Sequence, residues 1–290
     1  MKVQKYNLAY FSRKIKIILG PIIDFYAYKK SGVISLHYFD KEINVGDILN
    51  PYLIEKIFNK KVIKRQKGYS PHVLAIGSVM HDANENSYIW GSGFISKTDL
   101  PKELDANKIK AVRGKESVKA LKEYYNISIP NIALGDPAVL MPLYYKSKAV
   151  NKKYKVGIVP HYIDIEKIPL IIRNNEHIKI IDVQQDPEDF IDDISECDAI
   201  LSSSLHGLIL ADAYHIPNKW IVLSDRLIGG SFKFTDYYST TTNPQESCVE
   251  IACGLDLENL VLEIDQKVTV KEYIYSREEL ISAFPSELVS

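Results

Sequence analysis

The chain has 290 residues, of which 46% are hydrophobic and 25% charged, and its formal net charge is −1. This length allows one large domain or two of ordinary size, and the composition is that of a globular protein. A net charge near zero gives no bulk attraction to nucleic acid, so no nucleic-acid partner is expected. The three cysteines have no metal-type spacing and form no disulfide pattern, so we expect no metal site and a cytoplasmic location.

Residues 1–32 form a segment of their own, in which basic residues flank a short apolar run. That run, residues 17–26, is too short to span a bilayer and is interrupted by Pro21 and Asp24. No small-residue cleavage site follows it, so a secretory signal is not expected. The segment is typical either of a helix that covers the edge of the first domain or of a peripheral contact with the inner face of a membrane.

Residues 33–143 alternate between short apolar strands and helices. The pattern begins with a strand over residues 33–39 and a polar loop, followed by a helix with Asn50 as its expected N-cap and Pro51 as its first residue. Further strands are predicted at 73–76, 88–90, 109–112 and 132–134. This alternation predicts a Rossmann-like domain with a mostly parallel sheet.

After a basic, aperiodic linker over residues 144–153, the same alternation returns in residues 154–290. Strands are predicted at 156–159, 178–183, 199–201 and 220–223, and helices at 187–195 and 273–288. The aromatic residues 229–238 are predicted to form a loop. The sequence therefore predicts an α/β protein of two Rossmann-like domains, with a ligand cleft between them.

The strongest local signal is the stretch 197–215, where a strand, a polar turn and a small-residue helix follow one another. Ser202 to Gly207 form the turn, and His206 stands at the start of the helix. A helix start presents free backbone N–H groups and the positive end of the helix dipole, both of which suit an anion. A histidine there can bind the anion or move a proton near neutral pH. The alternative is a buried structural histidine.

Other polar side chains also follow predicted strands. They are Asn44, Asp47, Asn84, Glu85, Arg113, His161 and Ser204. Because the carboxyl ends of parallel strands meet at one edge of a sheet, where α/β proteins bind ligands, we expect these side chains to share one site. Each also has a structural alternative: a helix cap, a surface ion pair, a solvated loop or a core histidine.

Short motifs occur along most of the chain, among them Asn-Val-Gly-Asp at 44–47, Gly-Asp-Pro at 135–137 and Ser-Leu-His-Gly at 204–207. Others lie at 75–81, 88–94, 112–117, 157–161 and 229–238. In this order and spacing they resemble the polysaccharide pyruvyl transferases, particularly the bacterial exopolysaccharide ketal-pyruvate transferases. The resemblance implies a fold like that of the GT-B glycosyltransferases. It also implies phosphoenolpyruvate as donor, no cofactor, and a sugar or lipid-linked oligosaccharide as acceptor.

The resemblance further implies donor-binding residues. His206 and Leu205 match the family's donor-binding turn, and Arg113 matches a second donor-binding position. The family commonly has Arg-Leu-His at this turn, whereas this chain has Ser204 in place of the arginine. Because phosphoenolpyruvate is a polyanion, another cation is expected near the donor. The candidates are Lys233, Arg226 and His161.

The implied reaction joins two sugar hydroxyls to C2 of pyruvate as a ketal and releases phosphate. It needs an acid at the methylene carbon, a base at the sugar hydroxyl and fixed cations on the donor. We expect His206 to act as the acid or phosphate ligand, and Asp47 or Glu85 as the base. The side chains expected to contact the acceptor are Asn44, Asn84, Tyr237 and Tyr238, the tyrosines by stacking on the sugar.

Two other functions fit the same fold class. A nucleotide-sugar-dependent glycosyltransferase would need a carboxylate that recognises the base or ribose, for which Glu188 and Asp189 are available. Ser204 in place of the family arginine also fits a non-catalytic subunit of a polysaccharide assembly complex.

Overall fold

A computed structural model describes residues 32–40, 42, 44–64, 70–224 and 230–289. Within these ranges the chain forms two parallel β-sheets, one in each half of the sequence, with helices packed around them. The predicted α/β class is therefore confirmed. The described residues contain no helix that is long and apolar enough to cross a membrane. Residues 1–31 and the candidate cation Arg226 lie outside the described ranges.

The first sheet is built from six parallel strands. These are β1 (Val33–Leu36), β2 (Lys61–Lys64), β3 (His72–Leu74), β4 (Ser87–Trp90), β5 (Ile109–Val112) and β6 (Ala133–Leu134). Their order in the sheet is β2-β1-β3-β4-β5-β6. Helix α1 (Val45–Phe58) joins β1 to β2, and α2 (Lys115–Tyr125) joins β5 to β6. Short 3₁₀ helices lie at Met80–Asp82, Ala106–Lys108 and Pro137–Leu143.

The second sheet is built from five parallel strands. These are β7 (Tyr154–Val159), β8 (Ile178–Ile180), β9 (Cys197–Ser202), β10 (Asn218–Val222) and β11 (Val249–Glu250), in the order β11-β10-β9-β7-β8. The helices are α3 (Leu170–Arg173), α4 (Pro187–Ser195), α5 (Leu205–Ala213), α6 (Phe232–Tyr238), α7 (Gly254–Leu262), α8 (Ile264–Lys267) and α9 (Arg277–Ser282). Further 3₁₀ helices lie at Tyr162–Lys167 and Ser286–Leu288.

Helix α1 begins earlier than predicted, which moves Asp47 from a loop into the first helical turn. Asn44 is the N-cap, because its side-chain oxygen accepts a hydrogen bond from the Gly46 N–H at 3.0 Å. Asn50 is fully buried inside the helix, and its amide exchanges two hydrogen bonds with the backbone of Ile76. The asparagine that resembled a helix start instead ties α1 to the segment that follows β3.

The aromatic stretch that was predicted as a loop contains helix α6. Aromatic residues have modest intrinsic helix propensity, so burial decides the conformation here. Phe234 is fully buried, and its ring stacks on that of Trp220 with centroids 4.2 Å apart. This correction matters for the site, because the same helix carries Lys233.

One hydrophobic core runs through both halves of the chain. A single cluster of buried side chains includes Leu49 and Trp90 from the first half, and Phe190 and Leu208 from the second. The carboxyl-terminal segment then returns to the first sheet. There the indole N–H of Trp90 donates to the carbonyl of Leu280 at 2.7 Å. The division into domains over residues 33–143 and 154–290, and the GT-B arrangement, stay predictions.

Both sheets contain a topological switch point. In the first sheet it lies between β1 and β3, and in the second between β7 and β9, because the chain progresses in opposite directions from each of these pairs. Loops that leave the carboxyl ends of such strands diverge and open a crevice, which is where α/β proteins bind ligands. The fold therefore points to the loops after these four strands.

Candidate active site

A pocket of about 380 Å³ lies at these loops and joins the two halves of the chain. Volumes of this size are typical of small-molecule sites. Most of the lining residues follow β1, β3, β7 or β9. The predicted site residues in the lining are Asn44, Asp47, His161, Ser204, Leu205, His206 and Lys233. The structure thus brings most of the predicted side chains into one site, and their roles stay predictions.

His206 lies in the first turn of α5, and its side chain is 11% exposed. Its Nε2 is buried without a hydrogen-bond partner and lies 3.6 Å from Oδ2 of Asp136. The opposite edge of the ring faces Gly46, where an added Cβ would come within 1.9 Å of Nδ1. A glycine at the start of α1 therefore makes room for this histidine between the two halves of the chain.

The start of α5 is an uncapped helix N-terminus. Ser204 is the N-cap residue, but its side chain makes no capping hydrogen bond. Its backbone N–H instead donates to Oγ of Ser202 at 3.0 Å, which shapes the turn. Uncapped N–H groups in the first helical turn bind anions well, because the helix dipole adds positive potential there. This agrees with an anion at the turn, as the sequence pattern predicts.

Lys233 brings a cation to the same pocket. Among the described residues, its ammonium group has no hydrogen-bond or salt-bridge partner, although Nζ lies 5.3 Å from the centroid of the Phe234 ring. Burial lowers the pKa of Lys233 to about 8, and the nearby charge of Arg113 adds to this, whereas Asp47 acts in the opposite direction. The lysine is therefore mostly protonated at neutral pH and available to an anionic ligand.

Asp47 is one of two carboxylates that line the pocket, the other being Asp99. Burial raises its pKa to about 7, and the charges of His206 and Lys233 only partly oppose this effect. A carboxyl group with a pKa near 7 can exchange a proton with a sugar hydroxyl at neutral pH, as a general base must. The position of Asp47 in the first turn of α1 holds it in the pocket.

Asp47→Asn is expected to stabilise the protein at neutral and alkaline pH. A carboxyl group whose pKa is about 7 when folded and 3.8 when unfolded costs stability as the pH rises from about 4 to 7. The amide of asparagine avoids this cost. The free energy of unfolding of the variant should therefore equal that of wild type at pH 4 and exceed it by roughly 1–3 kcal/mol above pH 7. Urea denaturation at several pH values measures it. Asp198→Asn, at an exposed position, is the matched control. A gain that does not depend on pH would contradict the assignment.

His161 is not the missing cation. Burial lowers its pKa to about 4, and the charge of Lys233 adds to this effect, so the imidazole is neutral at physiological pH. Its Nδ1 accepts a long hydrogen bond from the Ile163 N–H at 3.5 Å, and its backbone N–H donates to Oγ of Ser203. His161 therefore offers the ligand a neutral ring. This corrects its proposed role as a charge donor.

Arg113 stands behind the pocket wall instead of on it. Its guanidinium is fully buried and donates to Asp236 at 2.9 Å, to Oγ of Ser78 at 2.6 Å and to the Phe94 carbonyl at 2.7 Å. Asp236 lies one helical turn after Lys233 on α6, so the ion pair anchors the helix that carries the lysine. Arg113 was predicted to bind the donor directly. This is corrected to a supporting role, in which Arg113 holds Ser78 and α6 in place.

Asn84 and Glu85 lie at the opposite edge of the first sheet. They directly precede β4, and in a parallel sheet a strand begins at the edge away from the site. The side-chain oxygen of Asn84 accepts a hydrogen bond from the Asn86 N–H at 2.8 Å, and Lys108 contacts the carbonyl of Glu85. Neither residue lines the pocket. Their assignments as acceptor ligand and base are therefore corrected.

Tyr237 and Tyr238 are 1% and 0% exposed, so they cannot stack on a sugar. The hydroxyl of Tyr237 donates to Asp212 at 2.9 Å, inside the core. The aromatic residues that do line the pocket are Phe39 and Tyr162, which the sequence reasoning missed. Both follow strands beside a switch point, and that placement is the signal that could have identified them.

Asp136 and His81 are two further residues of the site that were not predicted from the sequence. Asp136 follows β6 and caps the next 3₁₀ helix, with Oδ1 accepting from the Ala138 N–H at 3.1 Å. Its position at a strand end was visible in the Gly-Asp-Pro motif. His81 lines the pocket, and its Nδ1 lies 3.1 Å from the carbonyl of Ser78.

The carboxylates considered for nucleotide recognition lie elsewhere. Glu188 accepts a hydrogen bond from the hydroxyl of Tyr52 at 2.7 Å and contacts Lys148, and neither Glu188 nor Asp189 lines the pocket. In the described part of the chain, no three His, Cys, Asp or Glu side chains are grouped as metal ligands would be. The pocket walls therefore offer backbone N–H groups, a lysine, three histidines and two carboxylates, and the lysine and the N–H groups suit a small polyanion.

Comparisons with known proteins show the family of this chain. The polysaccharide pyruvyl transferase family model matches residues 37–224. Protein L143 of Acanthamoeba polyphaga mimivirus, which is uncharacterised, is 30% identical over 214 residues, covering 71% of this chain and 74% of L143. The succinoglycan biosynthesis protein ExoV of Rhizobium meliloti is 28% identical over 199 residues, covering 68% of this chain and 52% of ExoV.

Among solved structures, an uncharacterised Klebsiella pneumoniae protein matches with a TM-score of 0.46 at 12% identity, over 80% of this chain and 97% of that one. The family model spans well over half of the chain, and its match begins just after β1 and ends just after β10. It therefore includes β3, β7 and β9 and the loop that follows β1, which together supply most of the pocket lining, whereas Lys233 lies beyond it. The chain belongs to the polysaccharide pyruvyl transferase family.

Proposed function

We propose that this protein transfers the enolpyruvyl group of phosphoenolpyruvate onto two hydroxyls of a sugar, forming a pyruvate ketal in a surface polysaccharide. The observation that carries the proposal is the pocket wall itself, where the uncapped start of α5 and His206 meet Lys233, which has no ion-pair partner among the described residues. These groups suit a small polyanion that accepts a proton during the reaction. Membership of the family supports the reaction class, and the role of ExoV in succinoglycan biosynthesis supports a polysaccharide acceptor.

The donor is placed with its phosphate at the start of α5. Backbone N–H groups after Ser204 and the Lys233 ammonium bind phosphate oxygens, and Leu205 packs beside them. Lys233 then supplies the positive charge that an arginine at position 204 supplies elsewhere in the family. Arg113 contributes through its ion pair with Asp236, which holds α6 and therefore Lys233 in place.

The chemistry requires a proton on the donor before the sugar attacks. His206 donates its proton to the methylene carbon, and the positive charge that develops at C2 draws in a sugar hydroxyl. A C–O bond forms, and Asp47 takes the hydroxyl proton. The bond between C2 and the phosphate oxygen then breaks, phosphate leaves, and the second hydroxyl closes the ring as its own proton is lost to phosphate or solvent.

The acceptor enters from the side of the pocket opposite α5. Asn44 and Asp47 offer polar groups to the sugar hydroxyls, and His81 also lines the pocket. Phe39, which is 40% exposed, and Tyr162 offer aromatic faces to the sugar ring. The acceptor is a free or lipid-linked oligosaccharide.

Phosphate release from phosphoenolpyruvate tests the proposal. The purified protein is incubated with a galactoside or mannoside acceptor, synthetic or lipid-linked, and the product is examined by mass spectrometry for a pyruvate ketal. Phosphate release that depends on the acceptor, with ketal formation, is expected. Tight binding of UDP or GDP without binding of phosphoenolpyruvate would support the glycosyltransferase alternative instead. A stable partner without turnover on any acceptor would support the assembly subunit.

Lys233→Met is expected to raise the donor KM by about 10–100-fold, because hydrogen bonds to charged groups contribute roughly 1.5–3 kcal/mol. The value of kcat should fall much less, since the lysine binds the donor before and during reaction. Initial rates at varied phosphoenolpyruvate measure both constants. Lys122→Met, on the exposed face of α2, is the matched control. An unchanged donor KM would exclude Lys233 as the donor's cation.

A further inference from the structure

Asp136 faces His206 but does not line the pocket. The carboxylate is 0% exposed, and its Oδ2 lies 3.6 Å from Nε2 of the histidine, an atom without another partner. Two backbone N–H groups hold the carboxylate in place, from Ala138 at 3.1 Å and from Gly77 at 3.4 Å. The reaction proposed above gives this residue no role.

We propose that Asp136 is a positioning residue that keeps a proton on Nε2 of His206 and leaves Nδ1 for the donor. The inference rests on the proposed function, because it assigns the acid used there. A carboxylate accepts hydrogen bonds only, so it selects the ring form that carries hydrogen on the facing nitrogen. Catalytic hydrogen bonds are often long and tighten in the substrate complex, which is consistent with 3.6 Å.

The ring of His206 packs closely against the start of α1. Gly46 lies against the Nδ1 edge, and any Cβ there would overlap the ring. Gly77 adopts φ +103°, which is favourable for glycine, and its N–H thereby reaches Asp136. The imidazole therefore lies between α1 and the carboxylate, with Nε2 on the side of Asp136 and Nδ1 on the side of Gly46.

This arrangement defines how the proton moves. The imidazolium holds protons on both nitrogens, and the proton on Nδ1 passes to the methylene carbon of the donor. The neutral ring that remains carries its hydrogen on Nε2, facing Asp136. The carboxylate stabilises the cation before the transfer and the correct tautomer after it, which is the role of the aspartate in a Ser-His-Asp triad.

Asp136→Asn tests the inference. The side-chain oxygen of asparagine can still cap Ala138, but its NH₂ group then faces His206 and requires an acceptor at Nε2. We expect the hydrogen to move to Nδ1, which ¹⁵N chemical shifts of the ring report, with signals assigned by their loss in His206→Gln. We also expect kcat to fall on the order of 10²–10⁴-fold, with a smaller change in donor KM.

Two further variants separate positioning from folding. Asp136→Ser retains a good N-cap but removes the carboxylate, so it should fold and show the same loss of kcat. Asp136→Glu should recover part of the activity. Hydrogen that stays on Nε2 in Asp136→Asn, or wild-type kcat in the serine variant, would overturn the inference. Wild-type protein without phosphoenolpyruvate turnover would overturn the proposed function, whereas the ¹⁵N measurement decides the tautomer by itself.

Discussion

His206→Gln is expected to lower kcat on the order of 10²–10⁴-fold, the usual contribution of a positioned acid or base. Glutamine can still donate a hydrogen bond to the donor, but it cannot deliver a proton to carbon. Because the lost group acts in the transition state, kcat and kcat/KM should fall together, with little change in donor KM. The fold should persist, since the described residues give the histidine no hydrogen bond to lose.

Steady-state phosphate release measures this effect, and thermal unfolding checks that the variant is folded. His177→Gln replaces a histidine that is 73% exposed on the surface, and it should behave as wild type in both assays. If His206→Gln retains near-wild-type kcat, the acid must be sought among the other pocket groups, and the assignment of His206 fails. A rise in donor KM alone would reassign it as a phosphate ligand.

Arg113→Met is expected to have the largest effect on stability, a loss of about 3–5 kcal/mol. The substitution leaves the fully buried carboxylate of Asp236 without its charged partner, and among the described side chains only Ser117 still donates to it, through its N–H and hydroxyl. An uncompensated buried charge costs far more than the ion pair contributes. The anchor between α6 and the first sheet is weakened as well, so the donor KM should rise.

Urea denaturation measures the loss. The double variant Arg113→Met/Asp236→Asn should regain part of the stability, because the asparagine oxygen still accepts from Ser117 and no buried charge is left. Arg173→Met is the control, since Arg173 is exposed and donates only to nearby carbonyls. A loss below about 1 kcal/mol in Arg113→Met would mean that the pair with Asp236 does not anchor α6.

Local pattern was enough to find most of the elements that hold the site. The α/β alternation predicted both parallel sheets, and Asp186-Pro187 predicted the start of α4 at Pro187. Prediction from the local pattern failed where a side chain has a partner that is distant in the sequence. Asn50 resembles a helix cap because nothing local reveals its bond to Ile76, and α6 resembles a loop because its aromatic residues need the core to become helical.

Site residues could be predicted from the sequence where they lie just after a predicted strand. His206, Asp47 and Lys233 were identified from the sequence, and the pocket contains all three. Asn84 and Glu85 were misplaced because the chain crosses to the other edge of the sheet within the few residues before β4. A linear pattern shows that a polar residue lies between strands, but not at which edge of the sheet it lies.

The sequence by itself determined the class of fold, the strand–turn–helix around Ser202 to Gly207 and the family, because each depends on residues that are neighbours in the chain. Only the tertiary structure decided which of the charged side chains form ion pairs. Arg113, for which the sequence shows no partner, pairs with Asp236, which lies more than a hundred residues away, whereas Lys233 has no such partner in the described part of the chain. Burial and the distance between charges set which groups meet a ligand, and both are properties of the folded chain.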